Sequence, residues 1–164
     1  MPFNSNTAAG TVVYTPGAFW SGNVLANDSS LVSSTDYASI LSVTLGKYER
    51  IVFNMWIDTQ NDADGDLKWK LLTPSSPTSF RARMVLPEVP ISGAVTEAVT
   101  SEITGTGIAE QTAVGTDSAY YIKVNGVLIN GANAGSLDFQ AAQNTSNATA
   151  TLIKAGSYIE YMKF

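Results

Sequence analysis

Four aspartates, Asp58, Asp62, Asp64 and Asp66, crowd residues 58–66 (DTQNDADGD). Carboxylate oxygens at that density suit a hard divalent cation such as calcium. With Gly65 set on the glycine of a helix-loop-helix calcium loop, Gln60, Asp62, Asp64 and Asp66 take the alternating ligand positions. Leu71 then falls where the bidentate glutamate belongs. Asp62, Asp64 and Asp66 are the residues that would hold a metal. The missing ligand favours a plain polar hairpin tip between two strands, so no metal and no cofactor is expected. A glycosidase pair fares no better, because it needs a set separation and one carboxyl in an apolar pocket, whereas aspartates on a loop tip are solvated and ionised.

Other routes to catalysis are closed by composition. The chain has no histidine and no cysteine, which removes serine and cysteine triads, thiolate chemistry and the commonest zinc ligand sets. No nucleophile motif stands in for them, and the protein is read as a non-enzyme. Binding chemistry is better represented. Trp20, Trp56, Tyr120 and Tyr121 would serve as sugar-stacking platforms if exposed. Lys68, Lys70, Arg81 and Arg83 read as a small basic face across adjacent strands, of the sort that is usually just solvated. Three N-x-S/T sequons begin at Asn27, Asn144 and Asn147. Without a signal peptide they are chance matches in a chain rich in Asn, Ser and Thr.

Charge is segregated along the chain. No Lys or Arg occurs before Lys47, nor from Met84 to Ile122, where Glu88, Glu97, Glu102, Glu110 and Asp117 lie. The remaining nine acids balance the nine bases, so the whole net charge of −5 sits in that middle segment. Neither region could neutralise phosphates, and nucleic acid is excluded as a partner. A hydrophobic share of 45% rules out general disorder. No apolar run approaches the ~20 residues of a membrane span, and no membrane partner is expected. The start of the chain has neither a basic cluster nor an apolar core segment, so no secretion signal is visible, and with no cysteine in the chain assembly in a reducing cytoplasm is expected.

The elements that must carry these residues are strands. Period-two alternation puts Leu41, Val43 and Leu45 on one face, then Ile51, Phe53, Met55 and Ile57, then Leu67, Trp69 and Leu71, then Phe80, Ala82, Met84 and Leu86. Tyr120, Ile122 and Val124 follow, with Leu137, Phe139 and Ala141 and then Ala148, Ala150 and Leu152. The closing strand is apolar at both parities, with Ile159 and Tyr161 on one side and Tyr158, Met162 and Phe164 on the other. Such a strand lies either in the middle of a sandwich or on a subunit interface. Residues 1–27 read as an N-terminal arm or first strand. Its aromatics Phe3, Tyr14, Phe19 and Trp20 either cover a sheet edge or meet a partner or subunit. Residues 28–164 read as a single all-β domain, an antiparallel sandwich of about nine or ten strands.

Residues 119–144 (AYYIKVNGVLINGANAGSLDFQAAQN) and 154–164 (KAGSYIEYMKF) read as short strands cut by glycine turns, with positive-φ positions expected at residues 130–136 and 155–158. Together with strand 48–58, the polar tip, strand 67–73, the PSSPT turn at 74–78 and strand 79–86, these segments resemble small β-rich structural proteins of tailed bacteriophages, namely capsid decoration (cement) proteins and related fibre-tip domains. The resemblance covers roughly residues 31–164 and rests on turn motifs. It implies a jelly-roll-like sandwich that often trimerises and serves as a virion part. The expectation is a homotrimer on the outer capsid surface, bound to the phage major capsid protein, with Phe3, Tyr14, Phe19 and Trp20 at the shell-facing or inter-subunit contact. The alternative is a tail-fibre or spike component that binds a host-surface glycan. A cellular carbohydrate-binding module is a third reading.

Overall fold

Alternating side chains of this kind can bury one face only if the chain runs as strands, and strand is what the protein forms. The computed structural model describes residues 11–14, 20–60, 66–88, 96–104, 108–112 and 119–164, with side chains described for 20–60, 66–85 and 121–164. Thirteen strands are present in these residues, and no helix. They are β1 (Thr11–Tyr14), β2 (Ser21–Leu25), β3 (Ser29–Leu31), β4 (Ala38–Leu45), β5 (Arg50–Gln60), β6 (Leu67–Leu72), β7 (Ser79–Glu88), β8 (Thr96–Thr104), β9 (Ile108–Thr112), β10 (Ala119–Ile129), β11 (Gly135–Gln143), β12 (Thr151–Ile153) and β13 (Tyr158–Lys163).

Two antiparallel sheets result. The larger runs β1-β2-β13-β5-β10-β7-β8, with β12 joining β5 to β3 at one end; the smaller runs β4-β11-β6-β9. Four pairs are nested in sequence: β6 with β9, β5 with β10, β4 with β11 and β2 with β13. The inner faces of both sheets feed one core. Ile51, Phe53, Met55, Ile57, Ile122, Val124, Met84 and Ile159 come from the large sheet; Leu41, Val43, Leu45, Leu67, Trp69, Leu71, Leu137 and Phe139 come from the small one. Trp69 stacks on Phe139 with ring centroids 5.6 Å apart. The arrangement is a β-sandwich.

Several expectations need correction. Segment 58–66 is no hairpin tip, because β5 and β6 lie in different sheets and the chain crosses between layers there. Residues 73–78 cross back in the same way. Lys68 and Lys70 therefore sit on the outer face of the small sheet and Arg81 and Arg83 on that of the large one, so the four bases form no common face. Alternation tells which side of a strand is apolar and is silent on which sheet the strand joins.

The strand count exceeds the expected nine or ten because β1 and β2 both fall in residues 1–27, β8 and β9 lie where no alternating run was read, and β3, three residues long, is too short to show a period. In β12 the parity is reversed, with Thr151 and Ile153 buried and Leu152 only partly so. A bulge between Phe139 and Gln140 breaks strict alternation in β11 and puts Ala141 and Ala142 both inside. Of the turn glycines, Gly156 has the expected positive φ, 91°. Gly131 does not; it is required because a Cβ there would lie 2.3 Å from the Ser76 carbonyl oxygen. Part of the stretch read as an arm or first strand is built into the large sheet as β1 and β2, and Leu25 reaches the core.

Candidate functional site

Of the residues singled out from sequence, Phe3, Phe19, Asp62 and Asp64 lie outside the described residues. Tyr14 ends β1, where its backbone pairs with Gly22. Trp20 stands just before β2, partly buried. Asp66 ends the crossing between β5 and β6 in the left-handed region, φ 47°, and its carbonyl accepts the Asn144 N–H at 3.0 Å. Its Oδ1 is buried and has no hydrogen-bond partner among the described residues. Among the described residues no group of three acidic side chains comes together as a metal site.

Two of the aromatic candidates converge. Trp56 on β5 and Tyr121 on β10 stack on the outer face of the large sheet, with centroids 4.4 Å apart and planes 12° from parallel. The Trp56 Nε1–H donates to Asp58 Oδ1 at 2.8 Å, which holds the indole in place. The side chain of Tyr120 lies outside those described.

Strand register extends this pair into a patterned surface. One row across the sheet reads Tyr158, Trp56, Lys123, Val85; the next reads Glu160, Asn54, Asn125, Arg83; a third reads Met162, Val52, Val127, Arg81. The rows between them are buried, for example Ile159, Met55, Val124 and Met84. All three named rows therefore point outward. Asn54 Nδ2 donates to Glu160 Oε1 at 3.1 Å, and Val127 is 40% exposed. Burial, and secondarily the Glu160 carboxylate, pushes the Tyr158 phenol above its ordinary range. Apolar and aromatic side chains thus fill half of the positions on a face that a simple two-layer sandwich would leave to water.

The outer face of the small sheet is different in kind. Ser42, Thr44, Lys68, Lys70, Ser136 and Gln140 lie along it, each partly or well exposed. Asp138, 7% exposed, accepts from Ser39 Oγ and Gln140 Nε2, both at 2.6 Å. The Lys68 and Lys70 ammonium groups lie 4.8 Å and 4.0 Å from the centre of the Tyr37 ring. The acidic middle segment comes back beside the bases: register sets Glu110 opposite Lys70 and Glu102 opposite Arg83.

Sequence reasoning noticed Tyr158 and Met162 but missed Val52, Asn54, Asn125 and Val127, which complete the same face. A signal was present. Strand β5 carries Val52 and Trp56 at the parity opposite Ile51, Phe53, Met55 and Ile57, so it too is apolar on both sides.

No protein-family model, no curated protein and no solved structure matches this chain.

Proposed function

We propose that the chain is a non-enzymatic virion structural protein, a capsid decoration (cement) protein that binds the outer surface of a phage head, and that its sandwich is a jelly roll. The observation that carries the fold is the nesting of β2 with β13, β4 with β11, β5 with β10 and β6 with β9, with the four pairs divided between two facing sheets. Rolling up one long hairpin gives that order. The hairpin of β7 and β8 then extends the large sheet beyond β10 as an insertion. A jelly roll serves many functions, so the step to decoration rests on the resemblance. The absence of histidine and cysteine and the segregated acidic charge fit an adhesive part better than an enzyme or a genome-packing protein.

Decoration works by avidity, with many modest contacts tying neighbouring shell subunits together. A homotrimer belongs to this reading through the resemblance alone, and avidity operates with two linked copies as with three. The shell-facing contact is assigned to the N-terminal aromatics, of which Trp20 lies beside β2. Co-sedimentation with capsids that lack the protein tests the proposal. Saturable, stoichiometric binding supports it; no binding rejects it.

The Trp56–Tyr121 stack favours a second reading, a tail-fibre or spike component that holds a host glycan against aromatic rings. Retention on host cells or polysaccharide, lost on Trp56→Ala, would replace decoration by receptor recognition.

A further inference from the structure

We propose that the outer face of the large sheet is covered by a second copy of the same chain, packed face to face about a two-fold axis that runs parallel to the strands between β5 and β10. This inference stands on strand register and charge and does not depend on the virion reading.

Such an axis exchanges β13 with β7 and β5 with β10 while leaving height along the strands unchanged. Each row of the face then meets its own reverse. In the middle row Glu160 faces Arg83 of the second copy and Asn54 faces its Asn125. In the row above, Tyr158 faces Val85 and the Trp56 indole meets the Lys123 ammonium, an aromatic–cation contact. In the row below, Val52 faces Val127, and Met162 lies along the stem of Arg81. Each contact is made twice, as an isologous interface requires.

The distribution of charge selects this axis over its rival. The bases Arg81, Arg83 and Lys123 lie on β7 and β10 and the acid Glu160 on β13, with Glu102 of β8 opposite Arg83 at the far edge. A two-fold axis across the strands would set β13 on β13 and β7 on β7, bringing Glu160 to Glu160 and Arg83 to Arg83. Like charges so placed oppose association. The axis along the strands brings opposite charges together in the middle row, with apolar contacts on either side.

The size of the face sets the strength of the contact. Six strands from β2 to β8 at ~4.8 Å spacing give a width of roughly 29 Å, and a shared length of about five residues, set by β2, at ~3.4 Å gives roughly 17 Å. The flat footprint of roughly 500 Å² per partner lies below the ~800 Å² of a standard stable interface, which places the dimer in the weaker, concentration-dependent class. Facing sheets pack with their strands within about 30° of each other, so the central rows carry most of the contact.

Analytical ultracentrifugation of the full chain over a range of concentrations tests the inference. The expected species is a dimer. Glu160→Arg and Arg83→Glu should each weaken it by roughly tenfold or more through like-charge contact, while the double variant recovers dimerisation. Glu160 and Arg83 lie three strands apart within one copy, so the rescue has to act between copies. Val127→Glu, at an exposed position that tolerates a charge in the monomer, should dissociate the dimer with unchanged circular dichroism. A wild-type monomer, a trimer, or a dimer indifferent to these variants would overturn the proposal.

Discussion

Asn130, directly after β10, is a fully buried amide whose hydrogen bonds knit two loops together. Its Nδ2 donates to the Gly46 carbonyl at 2.7 Å and to the Asn133 carbonyl at 2.8 Å, while its Oδ1 accepts the Gly131 N–H at 2.9 Å. The turn after β4 is thereby tied to the turn after β10, and the backbone N–H of Asn130 adds a bond to the Glu49 carbonyl at 2.8 Å. Asn130→Ala removes the three side-chain bonds and leaves the buried Gly131 N–H without this partner. At a net ~0.5–1.5 kcal/mol per bond, with ~1–3 kcal/mol for each buried group left unpaired, the loss should be about 3 kcal/mol, after some relief by entering water. Urea denaturation should show that loss at an unchanged slope, and melting should fall by roughly 6–12 °C. Asn130→Asp should cost more, since a carboxylate would face two carbonyl oxygens. Asn133→Ala, which keeps the accepting carbonyl, should cost under about 0.5 kcal/mol. A loss below about 1 kcal/mol in Asn130→Ala would refute the claim that this amide holds the two turns.

Trp69→Ala should cost roughly 3–5 kcal/mol, because the indole is wholly buried against Phe139; an unchanged melting temperature would contradict that placement. Gly126→Ala should destabilise by about 1–3 kcal/mol, since the new Cβ would sit 2.6 Å from the Arg81 carbonyl oxygen and 2.8 Å from Phe53 Cζ, a cost that equilibrium unfolding would measure. Stability should fall on acidification: the Lys163 ammonium and the Gly46 N–H hold the Glu49 carboxyl below its ordinary value. Its contribution is present above the unfolded value of about 4.3 and is lost as pH falls through the lower folded one. Glu49→Gln should flatten that part of a melting-temperature profile between neutral and acid pH.

Much of the core was legible because it is written with a period of two. Phe53, Met55, Leu67, Trp69, Phe139 and Ile159 are buried as alternation places them. Register and layer were not legible, since both depend on pairings between distant residues. Nothing near Trp56 in sequence announces Tyr158 as its neighbour, yet cross-strand pairing sets them side by side. The same lack of layer information merged Lys68 and Lys70 with Arg81 and Arg83. The bulge in β11 escaped for a local reason, as it departs from strict alternation over only a few residues, and β12 was read with its two faces exchanged. The bifacial apolar character of β13 was visible, and what it left open, whether the second face meets a neighbouring layer or another subunit, is decided by contacts that one chain's pattern does not encode.

The nested pairing also governs the order in which the protein can be completed during synthesis. Strand β13 lies between β2 and β5 in the large sheet, so a strand made about a hundred residues after β5 fills a central place. Until it emerges, β2 and β5 each present an open hydrogen-bonding edge toward that gap. At a translation rate of ~5–20 residues per second, the hundred or so residues between β5 and the end of β13 take roughly 5–20 s to appear. For that interval the nascent chain carries apolar strand edges that a neighbouring nascent chain could pair with. Dense translation on one message would therefore favour strand exchange between copies, and the yield of correctly closed sandwiches should depend on how quickly residues 158–163 follow.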